Sequence, residues 1–272
     1  MEIYFQAILM GAVEGLTEFL PVSSTGHLIL VGDLLNFFQG EKRVFFEIFI
    51  QLGAILAICW LYRQKLITSL LGIKTKPEAQ KFFLHLFLAF LPAAFMGLLF
   101  AKTIKSHFFF PLPVAFAFFF GAIVMLWVEQ KKMEKKGKIS QMTWKTALSI
   151  GLFQCFALIP GISRSGATII GGLFCGLSRK ESVEFSFFLA IPTLFAASFY
   201  ELFHQLPFLN MEFLPVLGVG FLVSFLTALW AVKIFVDYIA KHSFRIFAGY
   251  RILFAVVILL TAYFGWVSWE VV

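Results

Sequence analysis

The chain has 272 residues, 60 % of them hydrophobic and only 14 % charged, with a mean hydropathy of +0.90. A soluble domain carries about a quarter charged residues, so the composition excludes an ordinary soluble globule, and the 38 Phe suit a lipid-facing surface. The formal charge of +7 does not point to nucleic acid, because the basic residues fall in short loops between apolar stretches rather than along one face.

The start, Met1 to Gln6, has neither a basic n-region nor a small-residue cleavage site, so it reads as mature structure rather than a secretory signal. Residues 4–38 are apolar but broken near the middle by Pro21 to Gly26. Each half is too short to cross a bilayer, which takes about 20 apolar residues. A re-entrant helical hairpin, entering and leaving on one side, is expected instead. Three full spans follow at about 46–62, 83–101 and 112–129, then a basic linker, 131–145. Residues 146–177 repeat the broken pattern around Pro160 to Gly166, and spans at about 184–203, 213–235 and 246–267 complete the chain. Cys59, Cys155 and Cys175 stand alone in apolar segments and read as packing residues. His85, His107, His204 and His242 lack companion ligands and read as structural or interfacial.

A constant shift of 140 residues pairs Gly11 with Gly151, Glu14 with Gln154, Ser23 with Ser163, Thr25 with Ser165, and Gly26 with Gly166. Each half is then one hairpin plus three spans, 1–130 and 146–272. Three crossings are odd, so the second half is inverted relative to the first. The fold expected is an all-α integral membrane protein, an inverted-topology repeat of six transmembrane helices plus two re-entrant hairpins.

Lys and Arg placement supports an outside N-terminus, since cytoplasmic loops carry the positive excess. Five fall in Arg63 to Lys81, six in 131–145, two at Arg179 and Lys180, and four in Lys233 to Arg251, all on the inner side; Lys42, Arg43, Lys102 and Lys105 lie outside. Arg164 falls in no loop. It sits in the second break, where a charge costs several kcal/mol, of order 3, unless it is paired or in a wet cavity.

The first break reads EGLTEFLPVSSTGH, residues 14 to 27. Glu14 and Glu18 are four apart and share a helix face. Two carboxylates that close in a dry site either share a proton or hold a cation, and a hard divalent ion, Mg²⁺ or Ca²⁺, suits oxygen ligands completed by substrate phosphates. Ser23, Ser24 and Thr25, followed by Gly26, offer hydroxyls and N–H groups just before a helix, an anion-binding arrangement. His27 is a candidate general base or nucleophile. The second break, PGISRSGAT, residues 160 to 168, sets Arg164 among the hydroxyls of Ser163, Ser165 and Thr168, and a guanidinium is suited to bidentate phosphate binding. If the two tips meet, the assembly fits phosphoryl transfer, in which positioning and charge stabilisation supply most of the catalysis.

These two segments, in this order, closely resemble the signature regions of the undecaprenyl pyrophosphate phosphatase family, also called BacA or UppP, over nearly the whole chain. The resemblance implies a bacterial inner-membrane enzyme with its site open to the periplasm. It would use a divalent cation to hydrolyse a polyprenyl pyrophosphate lipid to the monophosphate and phosphate, recycling the carrier for peptidoglycan synthesis and conferring bacitracin resistance. Carried over by motif position, the functional residues are Glu14 and Glu18 for metal, Glu18, Ser24, His27 and Arg164 for catalysis, and Ser23, Thr25, Ser163, Ser165 and Thr168 for the phosphates. The attacking group is left open among Ser24, His27 and water. Membrane lipids are the surroundings, nucleic acid is not a partner, and a homodimer is compatible with the reading. The rival reading is a lipid-phosphate transporter or flippase, since inverted repeats with broken helices are also carrier architecture; the carboxylates and histidine favour an enzyme.

Overall fold

The computed structural model describes residues 1–130, 137–205 and 213–267. Residues 131–136 of the expected linker, and the side chains of Lys102, Lys105 and His204, lie outside the described residues. Among the described residues the α-helices are α1 (Glu2–Thr17), α2 (Ser24–Leu34), α3 (Glu41–Leu61), α4 (Arg63–Gly72), α5 (Pro77–Phe108), α6 (Pro111–Gln130), α7 (Trp144–Cys155), α8 (Arg164–Phe174), α9 (Arg179–Gln205), α10 (Leu214–Lys241) and α11 (Arg245–Tyr263). Six of them, α3, α5, α6, α9, α10 and α11, are long and apolar enough to cross a membrane, one for each span expected from the sequence. α5 begins several residues before the apolar run because Pro77 fits the first helical turn, where a missing N–H costs nothing. α4 was not anticipated; Arg63 to Lys81 read as a loop.

The two broken regions are pairs of short helices, α1 with α2 and α7 with α8. α1 has 16 residues and α2 has 11; α7 has 12 and α8 has 11. The breaks sit earlier than the sequence suggested. Helix resumes at Ser24 and Arg164, so Thr25, Gly26, Ser165, Gly166 and Thr168 lie in the first turns of α2 and α8 rather than in open loop. Each restart follows a serine in the left-handed region, Ser23 at φ 67° and Ser163 at φ 72°. In the second break Gly161, at φ 94°, lets the chain turn hard against the Val114 carbonyl of α6.

The packing exchanges partners between the halves: α1 lies against α10, and α7 against α5. Gly11 makes the first approach close, meeting the Gly220 backbone, and Gly151 makes the second, meeting the Ala89 backbone. α6 pairs with α11, and α3 with α9. A central cluster that includes Phe19, Ile58, Ile169, Phe187 and Phe235 joins the helices. The outward faces are apolar too, with Phe95, Trp230 and Leu253 well exposed, as expected of helices solvated by lipid.

Two arginines counted as loop charges are buried. Arg43, 5 % exposed, donates to Asp33, to Glu47 at 2.9 Å, and to the Leu28 and Ile29 carbonyls of α2. Arg251, 1 % exposed, is an interior residue of α11.

Candidate active site

The tips of the two helix pairs meet. Glu18, the residue after α1, accepts from Ser24 Oγ at 2.6 Å through one carboxylate oxygen and from the Arg164 guanidinium at 2.8 Å through the other. This places a hydroxyl from the first tip and a cation from the second on the same carboxylate. Arg164 also donates to the Ser186 carbonyl of α9 at 3.2 Å, and its Nε has no partner among the described residues. The ion pair is nearly dry, with side-chain exposures of 10 % and 5 %. Such pairs hold only when their remaining hydrogen-bonding capacity is met.

A cavity of about 480 Å³ opens on this junction. Glu18, Ser23, Ser24, Thr25, Ser163 and Arg164 face it. Away from the tips its wall is apolar and small, with Ala93, Ala94 and Gly97 from α5 and Ala196 and Ala197 from α9. Gln51 and Gln154 add amides. Gln51 accepts from Ser198, and Gln154 from Thr193, each at 3.3 Å.

Glu14, His27, Ser165 and Thr168, all expected in the site, lie off the cavity. Ser165 donates to the Leu20 carbonyl at 2.7 Å and lies 3.0 Å from Ser163 Oγ, so it ties the second tip to the first. Thr168 bonds Ser186 at 2.7 Å, fixing α8 on α9. Ser163 caps α8 by accepting from the Gly166 N–H at 3.1 Å, while its side chain still reaches the cavity. His27 is caged by aromatic rings: Phe254 stacks on it with centroids 4.0 Å apart, and Tyr250 at 5.6 Å. Its Nδ1 lies 2.7 Å from the Ser23 carbonyl, which can only accept, so Nδ1 carries the proton. Nε2 then accepts from the Tyr250 hydroxyl at 2.5 Å. Both ring nitrogens are committed, and the imidazole steadies the left-handed Ser23.

Glu14 is 1 % exposed, and neither of its carboxylate oxygens has a hydrogen-bond partner among the described residues. An orphaned buried carboxylate one helical turn from Glu18 is a fitting place for a cation. No cluster of three or more His, Cys, Asp or Glu able to hold a metal occurs among the described residues, so these two carboxylates would need substrate oxygens to complete the coordination.

Sequence reasoning missed Arg251. Its guanidinium donates to four main-chain carbonyls: Pro21 at 3.3 Å, Gly161 at 2.9 Å, Ala117 at 3.0 Å and Phe118 at 3.2 Å. It therefore joins both breaks to α6 at one point. An arginine well inside an apolar helix is a signal, yet by sequence Arg251 reads as one of the charges of inner loops or inner helix ends. Ser186 and Tyr250, which position Arg164 and His27, carry no signal in the sequence.

Comparison with known proteins places the chain in a family. The chain is 55 % identical over 266 residues to undecaprenyl-diphosphatase 2 of Rhodospirillum rubrum, covering 97 % of each protein. It is 54 % identical over 266 residues to undecaprenyl-diphosphatase of Nitrosospira multiformis, again covering 97 % of each. Against undecaprenyl-diphosphatase of Nitrosomonas europaea it is 53 % identical over 270 residues, 99 % of this chain and 98 % of the relative. The profile of the family described as bacitracin resistance protein BacA matches residues 7–257, a stretch that contains both tips and Arg251. With two buried tips sharing one carboxylate and this likeness along its length, the chain belongs to the bacitracin resistance protein BacA family.

Proposed function

We propose that this protein hydrolyses undecaprenyl pyrophosphate to undecaprenyl phosphate and inorganic phosphate, and that Ser24 is the attacking group. The observation that carries the assignment is the Ser24–Glu18–Arg164 chain of hydrogen bonds. It joins a nucleophile, a base and an anion clamp at the floor of a cavity whose upper walls are apolar.

Arg164 and the hydroxyls of Ser23, Thr25 and Ser163 hold the pyrophosphate. Ser24 Oγ attacks the terminal phosphorus as the bond to the bridging oxygen breaks. Glu18 accepts the serine proton and delivers it to the departing lipid monophosphate. Ionised again, Glu18 deprotonates a water that attacks the phosphoserine, then returns the proton to Ser24 as inorganic phosphate leaves. Both transfers rely on positioning and charge stabilisation rather than on covalent chemistry by many groups. Glu14 and Glu18 would hold a divalent cation, which offsets pyrophosphate charge when bound. His27 acts through Ser23 by fixing the turn that carries Ser24.

The membrane placement follows the same reading. The helix pairs are re-entrant hairpins, and residues 1–130 and 146–272 are inverted repeats around the 131–145 linker; the matching serine turns and exchanged packing partners support this. The cavity opens toward the periplasm in this reading, because Tyr200 and Glu201, which line it, lie near the end of α9 remote from Arg179 and Lys180. All the groups in this scheme come from one chain, so it requires no second copy.

Labelled pyrophosphate lipid should leave ³²P on Ser24 in a rapid acid quench, with the label lost in Ser24→Ala and kept in His27→Ala. Label on His27, or none under any quench, would sink the serine mechanism. Release of phosphate in detergent, where no bilayer exists, separates the enzyme from a carrier.

A further inference from the structure

α5 and α9 carry a second cavity, of about 550 Å³, at their opposite ends. His85 on α5 and Glu181 on α9 line it, while Ala93 and Ala196 on the same helices line the catalytic one. Between them the helices close through Leu86, Ala89, Phe188 and Leu189, all buried. From His85 to Ala93 the rise is about 12 Å, so the two cavities are distinct compartments.

The second cavity is basic. Lys65, Lys76, Lys81 and Lys138 line it against Glu78 and Glu181. Glu181 is already occupied, accepting the Ile139 N–H at 2.7 Å, and Lys65 reaches Glu184 at 3.3 Å. Lys76, Lys81 and Lys138 have no carboxylate partner among the described residues. Beneath them lies His85, 6 % exposed, whose imidazole makes no hydrogen bond within the described residues. The ring faces the cavity rather than packed carbon, so its nitrogens are available to whatever fills it. The wall that carries Lys138 is held in place, because Gly137 exchanges main-chain hydrogen bonds with Gly176 and Ser178 at 3.2 and 3.0 Å.

The fourth wall is α4. Lys65, Thr68 and Ser69 turn toward the cavity, whereas Ile67, Leu70 and Leu71 on the other side are 54 %, 60 % and 78 % exposed. A short helix split in this way suits the boundary between headgroups and acyl chains. It presents hydroxyls and a cation to a headgroup and apolar side chains to the tails.

We propose that this cavity binds the phosphate of an anionic membrane lipid, with His85, Lys76, Lys81 and Lys138 donating to the phosphate oxygens and the acyl chains lying along Ile67, Leu70 and Leu71. The site is separate from the catalytic one, and it does not depend on the reaction assigned above. Inorganic phosphate carries the same recognition element, so the test must separate the two sources.

The full-length protein in a maltoside detergent is titrated with dioleoylphosphatidylglycerol, dioleoylphosphatidylcholine or inorganic phosphate, with bound lipid counted by native mass spectrometry. Wild type should bind the anionic lipid about tenfold more tightly than the zwitterionic one, and Lys76→Gln/Lys81→Gln/Lys138→Gln should lose at least that preference. The control Lys145→Gln/Lys233→Gln/Lys241→Gln changes the net charge equally at exposed lysines outside the cavity and should retain it. His85→Leu should weaken lipid binding and His85→Gln should restore most of it, which a packing role for the ring would not produce. Equal affinity in the two triple variants, or no preference between the two lipids, overturns the proposal. So does inorganic phosphate that binds while phosphatidylglycerol does not. The lipid-free melting midpoint of each variant, unchanged from wild type, certifies the fold, and the lysine triple variant keeps the test intact if the His85 variants do not fold.

Discussion

The α1–α2 and α7–α8 pairs share a backbone and differ in the side chains set on it. Both pass through a left-handed serine, Ser23 and Ser163, both restart a helix on the next residue, and both bring a glycine, Gly11 or Gly151, onto a neighbour's main chain. Position by position the side chains differ. Glu14 faces Gln154, Glu18 faces Leu158, Ser24 faces Arg164, and His27 faces Ala167. The turn itself is a general cradle for an anion, with N–H groups and hydroxyls at the start of a helix. In the proposed mechanism four side chains laid on that cradle make one copy reactive and the other a clamp, and Glu18 is the contact through which the two copies meet.

This comparison can be broken most sharply by removing its unlike members. Ser24→Ala and Arg164→Ala should each lower kcat by about a thousandfold, the loss typical of a group that stabilises charge in a transition state. The exchange Ser24→Arg/Arg164→Ser should be as inactive as either single variant, because Glu18 does not move with the serine; substantial turnover would mean that the two tips are equivalent. Glu14→Gln makes the first copy match Gln154 and should lower activity by about tenfold while abolishing the effect of a chelator. Activity in that variant that still falls on chelation would place the cation elsewhere.

Smaller effects test the shared part. Gly11→Ala and Gly151→Ala should each destabilise the protein by about 1–3 kcal/mol, read as a lower thermal midpoint in detergent, since each new methyl meets backbone that cannot yield. A large loss at one and none at the other would argue against the repeat. Ser163→Ala should cost about 1 kcal/mol because the Ser163 side chain caps α8. Ser23 makes no such capping bond, so Ser23→Gly, which suits the positive φ, should raise stability by about 0.5 kcal/mol.

Most of the scaffold could be read from the chain because lipid imposes simple rules. The six spans announce themselves as uninterrupted apolar runs, and Pro21 and Pro160 mark where two runs fail. Arg164 stood out because a charge in such a place requires a partner. What escaped was information held in three dimensions. His27 looks reactive in sequence, yet its surroundings come from Tyr250 and Phe254 on a helix more than two hundred positions later. The restart of each helix at Ser24 and Arg164 depends on a backbone angle that no pattern of apolar residues encodes. Arg43 and Arg251 were counted as loop charges because their partners, mostly main-chain carbonyls, have no letter in the sequence.

The four-carbonyl contact of Arg251 also bears on the order in which the protein is made. α11 follows both helix pairs in the chain, so a ribosome delivers Glu18, Ser24 and Arg164 before it delivers the residue that joins Pro21 to Gly161. A chain stalled short of α11 already has the Arg164–Glu18 and Ser165–Leu20 contacts between the tips but lacks the contact that fastens both breaks to α6. The last anchor of the site thus arrives as a late event of biosynthesis, and a chain truncated before α11 should be less active than the full-length protein.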